Sequence, residues 1–313
     1  MAASYIYLYY TFMAEMNKMM EEKLDVLDGG MMLVSSHEDL DDFESAVEEA
    51  SLIAFDAEGV SLSRTGPPTL ATFGVQEGEK VQAFLFDLLD NTAVYWARQL
   101  CILKRVLEDA AVVKIIHDCR QDSDSFNEFF NIKLAGVFDT SVFYKTIQNE
   151  VSRASLNSVL DTFALATNSK RKSRDFYGAH PKYWADRPLT RDHLVCASGD
   201  VVSLFVLREK MIDQYPEIYN SEIFKQETED AADEFRSLRW VQTVVVSQSS
   251  MGSVIGTRGS VIAEIERTSG AKVSKNSASS FIVMAKDQRM MDKAVHLINK
   301  KANRTRKIYN NDY

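Results

Sequence analysis

Ser51-Leu52-Ile53-Ala54-Phe55-Asp56-Ala57-Glu58 decides how the first two thirds of this 313-residue chain are read. The apolar run predicts a strand, and on a strand residues i and i+2 face the same way, so Asp56 and Glu58 project from one face near its end. Two adjacent carboxylates repel one another, and a divalent cation offsets both charges. Acid pairs at strand ends are also common as solvated surface, so the pair gains weight only if other carboxylates join it.

Two later segments offer them. Val113-Lys114-Ile115-Ile116-His117-Asp118-Cys119-Arg120-Gln121-Asp122 reads as a buried strand running into a helix whose first turn carries Asp122. Cys196-Ala197-Ser198-Gly199-Asp200 lies in a long helix, where positions four apart share a face. Singly, each acid has a plain explanation: Asp122 favours a helix N-terminus, and Asp200 is a solvated helix acid.

Around these segments, residues 31–248 alternate strand and helix patterns, which places the chain in the α/β class. Strands are expected at 31–34, 51–58, 69–76, 81–86 and 112–116, the middle three as an antiparallel meander with Gly66-Pro67-Pro68 and Gln76-Glu77-Gly78-Glu79 as turns. Helices are expected at 92–108, 121–130, 140–147, 155–166 and 190–212, and Ser36-His37-Glu38-Asp39 offers a capping box for one through residue 49. Lys170-Arg171-Lys172-Ser173-Arg174 is basic and irregular, and residues 216–239 form an acidic, weakly helical linker.

Taken in order, Phe55-Asp56-Ala57-Glu58-Gly59, Lys114-x-x-His117-x-x-Arg120-x-Asp122, Phe138-Asp139-Thr140 and Trp184-x-x-Arg187-Pro188-Leu189 before the helix with Asp200 resemble the DEDD family of 3′-5′ exonucleases. The likeness is to its ribonuclease D-like group and Egalitarian-like branch. It implies a ribonuclease H-like fold, a mixed five-stranded sheet with flanking helices, in which Asp56, Glu58, Asp122 and Asp200 bind two Mg²⁺ or Mn²⁺ ions. The chemistry agrees, because in-line phosphodiester hydrolysis is served by two ions that stabilise the attacking and the leaving oxygen. Asp139 is placed as an N-cap. His117 is either a hydrogen-bonded structural histidine or a catalytic one, and Arg120 either contacts a phosphate or pairs with a neighbouring acid.

One departure touches catalysis. Ribonuclease D-like members carry a tyrosine four residues before the last aspartate, and this chain has Cys196 there. A related subgroup uses histidine five residues before, where Val195 stands, and His193 is seven away. Cys196 is therefore the candidate assistant in place of the phenol.

The charge divides sharply. The whole chain has 36 Lys and Arg against 45 Asp and Glu, a net charge of -9 that suits no polyanion binder, but from Trp240 onward 12 basic side chains face only 5 acidic ones. There Gly252-Ser253-Val254-Ile255-Gly256-Thr257-Arg258-Gly259-Ser260-Val261-Ile262, within a strand-helix-helix-strand-strand-helix pattern, resembles a KH domain of the β-α-α-β-β-α type, an α+β fold. A Gly-x-x-Gly loop lets a phosphate backbone approach without an intervening Cβ, and the next helix offers its first N–H groups. Gly256, Thr257, Arg258 and Gly259 would touch the backbone, with Val254, Ile255 and Ile262 as the floor for unpaired bases. No Walker loop and no Gly-x-Gly-x-x-Gly is present, which argues against a nucleotide-binding enzyme.

The expected organisation is an extension (1–30), an exonuclease domain (31–215), the linker (216–239), a KH domain (240–303) and a basic tail (304–313). Lys300, Lys301, Arg304, Arg306 and Lys307 near the end, like 170–174, are a solvated surface, an RNA contact or an import signal. Three scattered cysteines make no disulfide framework, no apolar run reaches the ~18 residues of a spanning helix, and the apolar start lacks a basic flank. The chain is thus expected inside the cell, cytoplasmic or nuclear, and off the membrane. The function expected is trimming of single-stranded RNA, with single-stranded DNA as the lesser substrate. A non-catalytic RNA-binding adaptor is the rival.

Overall fold

The computed structural model describes residues 30–89, 93–148 and 153–309, with no side-chain detail for 93, 94, 174 and 304–309. The extension at 1–29 and the last residues of the basic tail lie outside them. The chain forms two compact units that divide between Asp233 and Glu234.

The larger unit is built on a mixed sheet of β1 (Met31–Val34), β2 (Leu52–Ser63), β3 (Gly66–Glu77), β4 (Lys80–Asp87), β5 (Val113–Ile116) and β6 (Val137–Asp139), in the order β1-β4-β3-β2-β5-β6. The β2-β3-β4 meander is antiparallel as expected, while β1, β5 and β6 each run parallel to the neighbour they join. The sheet has six strands rather than five. The sixth, β6, is three residues long, too short to show an alternating pattern.

β2 and β3 also run further than expected, so Gly66-Pro67-Pro68 begins a strand instead of making a turn. Gly66 is required there by crowding: a Cβ would lie 2.2 Å from the Val60 and Ser61 carbonyl oxygens.

Helices cover both faces: α1 (His37–Glu48), α2 (Ala93–Glu108), α3 (Arg120–Phe130), α4 (Thr140–Gln148), α5 (Leu156–Thr162), α6 (Arg174–Ala179), α7 (Arg191–Gln214), α8 (Pro216–Tyr219) and α9 (Glu222–Glu234). The capping box of α1 is present, with Ser36 Oγ accepting from Asp39 N and Asp39 Oδ2 accepting from Ser36 N. Strand alternation sorts β2 into two sides. Phe55 turns to α1 and α3, its ring 4.9 Å from Phe73 and 5.4 Å from Phe126, while Phe43 of α1 packs on Phe73 at 5.1 Å. Ala54 turns to α7 with Gly74, whose missing Cβ leaves room for Phe205. Asp56 and Glu58 share the parity of Ala54, so both lie on the α7 side.

The stretch read as a linker is largely helical. Its Phe224, Ala231 and Ala232 are buried in the core of the larger unit, Phe224 against Phe138 and Phe143. The crowded acids hid an apolar stripe of only a few residues.

The smaller unit is a three-stranded antiparallel sheet of β7 (Trp240–Val245), β8 (Lys272–Ser277) and β9 (Ser280–Ala285), ordered β7-β9-β8, with α10 (Met251–Ile255), α11 (Ser260–Ser269) and α12 (Gln288–Tyr309). The element order is the expected β-α-α-β-β-α. Its core joins Val244, Val254, Ile265, Phe281, Val283 and Ile298.

The far end of β2 is tied to α3 by Arg64, whose guanidinium grips the buried Asp124 at 2.6 and 3.1 Å while its N–H bonds the same carboxylate at 3.0 Å. Arg64→Met strands that carboxylate in the interior and should cost about 3–5 kcal/mol, the usual penalty for breaking one side of a buried pair. Urea unfolding of the larger unit, compared with wild type, measures it.

Candidate metal centre and nucleic-acid interface

The parallel pairing of β2 with β5 stops at Ala54, because β5 ends and the chain turns into α3. β2 continues alone on that side, and the N–H of Ala57 finds its acceptor in Asp122 Oδ1 at 3.1 Å. The first turn of α3 is thereby fixed against the strand end between the two acidic residues. Asp118 makes the turn in a left-handed conformation (φ 65°) and is held by Arg120 at 2.6 and 2.8 Å and by Arg153 at 2.8 Å. Arg120 thus pairs with an acid.

Asp56 and Glu58, half-buried, meet the fully buried Asp200 of α7, and each can offer a carboxylate oxygen within 4.8 Å of the others. Asp122 stands beside this triple, turned to the Ala57 amide. Burial pushes the Asp56 carboxyl up to about 7, with the negative charge of Asp200 adding to it and Arg171 opposing. Burial likewise raises Glu58 and Asp122 well above the carboxylate range, each with Asp56 as the next cause. Asp200 is raised by burial while Arg171 and Asn168 oppose. Three converging oxygen donors that resist ionisation side by side fit a hard divalent cation, whose charge would reverse the cost of all three.

Two residues the sequence reading did not single out complete the surroundings. Asn168 donates Nδ2 to Asp200 Oδ1 at 2.8 Å and to the Cys196 carbonyl at 2.7 Å, and Arg171 bonds Asp200 Oδ2. Asn168 is itself held by Asn157 through two bonds of 2.9 and 3.1 Å. Gly199 makes this possible, since a Cβ there would sit 3.1 Å from Asn168 Nδ2. The only sequence signal was the basic run around Arg171, which did not say which charge turns inward.

Cys196 lies one turn before Asp200 and is 1% exposed. Burial pushes its thiol up, and Asp200 and Glu58 push it further, so it keeps its proton at neutral pH. His117 is bound on both ring nitrogens, by Thr140 Oγ1 at 2.9 Å and the Ala154 carbonyl at 3.0 Å, and burial lowers its pKa. His193 closes a capping box with Thr190 and reaches the Tyr183 carbonyl at 3.0 Å. Asp139 caps α4 through Ser141 N and Val142 N and also accepts from Asp118 N and Cys119 N. Lys114 is buried with its Nζ on the Asp109 carbonyl, and burial lowers it to about 8. Arg187 forms a two-pronged pair with Asp87 at 2.6 Å and bonds the Thr69 carbonyl, bracing the approach to α7.

In the smaller unit, Gly256, Arg258 and Gly259 all take positive φ (74°, 53° and 79°) between α10 and α11. Thr257 and Arg258 are exposed at the tip. Gly259 is the N-cap of α11 and brings no side-chain acceptor, which leaves the first turn open to an anion. Ile255 and Ile262 are half-buried beside this loop, but Val254 is fully buried in the core and offers no surface.

A sheet of this order with carboxylates converging from a strand end and from the longest helix of the larger unit, in a chain that also carries a Gly-x-x-Gly unit, defines a nuclease-type chain with a nucleic-acid-binding module. The chain belongs to the 3′-5′ exonuclease family, whose model matches residues 31–215, and a KH-domain model matches residues 241–300. It is similar to the piRNA biogenesis protein EXD1 of Mus musculus, 27% identical over 184 residues, covering 54% of this chain and 30% of that protein. EXD1 of Homo sapiens is 25% identical over 182 residues, covering 54% and 34%. The match thus spans about a third of these relatives' length. Among solved structures, ribonuclease D of Trypanosoma brucei shares the fold, with a TM-score of 0.53, 22% identity, and coverage of 66% of this chain and 73% of that one. No described helix is long and apolar enough to cross a membrane.

Two outcomes follow from this geometry. In EDTA the larger unit should lose stability as pH rises from 3.8 to about 7, because folded Asp56 holds its proton across that window and the unfolded residue does not. Denaturant midpoints along that range should fall, and Asp56→Asn should flatten the slope. In the KH unit, Gly256→Ala drives a Cβ to 2.5 Å from Val261 and should unfold at markedly lower urea, whereas Gly259→Asp meets open space and should lose only ~1–2 kcal/mol to backbone strain.

Proposed function

We propose that this chain is a metal-dependent 3′-5′ exonuclease acting on single-stranded RNA, with the KH unit capturing the strand. The observation that carries the reading is the convergence of Asp56, Glu58 and Asp200 within 4.8 Å, with raised carboxyl pKa values that a cation would relieve. Asp56, Glu58 and Asp200, with Asp122 beside them, would hold the ions. Bound there, two Mg²⁺ or Mn²⁺ ions supply charge stabilisation to the attacking and leaving oxygens of a phosphodiester.

The chain's own groups define the rest of the task. β2 and α7 hold the carboxylates on rigid elements, and the Asp122 bond to Ala57 N fixes the strand end between two of them. Cys196 is shorter than the phenol of ribonuclease D-like relatives and does not reach the same point, which points to a rate below theirs, by roughly the 10²–10⁴-fold that an assisting proton-transfer group contributes. The Gly256–Gly259 loop presents backbone N–H groups and Arg258 to phosphate, and joining it to the nuclease unit raises the local concentration of a strand for a domain that is itself acidic. RNA as the substrate accords with the name of the EXD1 relatives and with the KH match.

The adaptor reading has two observations in its favour, Cys196 in place of the assisting tyrosine and the pairing of Arg171 with Asp200, which engages a carboxylate without metal. A time course on 3′-labelled single-stranded RNA with Mn²⁺ separates the two. Shortening by wild type and its loss in Asp56→Asn is the expected result. Intact substrate with both proteins would leave the adaptor.

A further inference from the structure

Asp200 has both carboxylate oxygens engaged by one loop. Oδ1 accepts from Asn168 Nδ2 at 2.8 Å, and Oδ2 accepts from the Arg171 guanidinium. Arg171 also acts electrostatically on Asp56 and Glu58, so one side chain addresses all three converging carboxylates. The carboxylate of Asp200 is 1% exposed, while the Arg171 side chain is 35% exposed, with one part on the acid and the rest at the solvent boundary.

The loop is built to present this residue. Lys170 and Lys172, on either side of it, both pair with Asp192 at 2.9 and 3.3 Å, two helical turns before Asp200 on α7. Asn168 is pinned to Asn157, and its Oδ1 accepts from Lys170 N at 3.1 Å. Lys172 N reaches the Tyr177 hydroxyl at 3.4 Å. The backbone on both sides of Arg171 is therefore tied down, and the guanidinium can leave Asp200 by side-chain rotation alone.

We propose that Arg171 is the chain's own cation at the carboxylate centre and competes with the divalent ion for Asp200, so that its release sets the metal affinity. This rests on the metal-dependent reading above. Two cations cannot both lie against the same carboxylates without repelling each other, and in a partly buried site that repulsion is only weakly screened. The arrangement offsets part of the carboxylate charge in the absence of metal and makes a weaker metal site than the same carboxylates would form alone.

Calorimetry of Mn²⁺ binding to the full chain, at fixed pH and salt, tests this on wild type, Arg171→Gln and Arg171→Lys. Removing the charge should tighten binding by about tenfold or more, and lysine, which keeps the charge, should stay closer to wild type. In EDTA, Arg171→Gln should melt below wild type, and saturating Mn²⁺ should close the gap. If Arg171→Gln folds only with Mn²⁺, that also supports the proposal. If it folds in neither buffer, Arg171→Met, which keeps the aliphatic stem and drops the charge, takes its place with the same expected tightening, and unchanged or weaker Mn²⁺ affinity there overturns the idea. Equal or weaker Mn²⁺ affinity in a folded Arg171→Gln overturns the competition while leaving the nuclease reading intact. Absence of Mn²⁺ binding in both wild type and Arg171→Gln has a different signature and overturns both.

Discussion

Asp56, Glu58 and Asp200 repel one another across less than 4.8 Å, and much of the larger unit is organised to hold them there. Water would screen that repulsion, but Asp200 is fully buried on α7 and Asp56 and Glu58 are half-buried, which leaves the carboxylates little of it. The charge must then be met by protons, by Arg171 or by a metal cation, and each choice corresponds to a different state of the centre. The raised carboxyl pKa values, the inward turn of Arg171 and the fit to a divalent ion are three consequences of one constraint.

The supporting residues make sense against that repulsion. Asp122 spends an oxygen on the Ala57 amide, which is open because β5 stops short of it, and so the strand end is fixed against the first turn of α3. Asn168 holds one oxygen of Asp200, and the missing Cβ of Gly199 keeps Asn168 uncrowded there. His117, His193, Arg120 and Asp139 spend their polar atoms on backbone and on neighbouring side chains such as Thr140, Thr190 and Asp118. They hold the frame that keeps like charges together. Cys196 fits between helix and site as a small buried group with its proton retained.

The smaller unit solves the opposite problem. Its Gly256–Gly259 loop exposes N–H groups at a helix start and an arginine at its tip, and its composition is basic where the larger unit is acidic. The overall charge of -9 is the sum of these two and describes neither.

Several features were legible in the linear chain because they depend on local spacing. Strand parity puts Asp56 and Glu58 on one side, helical spacing puts Cys196 over Asp200, and the Gly-x-x-Gly run marks the KH loop. The capping box of α1 and the meander of β2, β3 and β4 belong to the same class, since each is settled by neighbours along the backbone. Features that depend on partners far apart in the sequence were not legible. Arg171 was one of several charges in a basic run until folding placed Asp200 beneath it, and Asn168 carried no signal at all. Val254 looked like binding surface until packing buried it, and Phe224 was hidden in an acidic stretch until it met Phe138 and Phe143. Periodicity fixes which way a side chain points from its own element. What it meets there is set by elements tens of residues away, and the electrostatics of this centre belong entirely to that second kind of information.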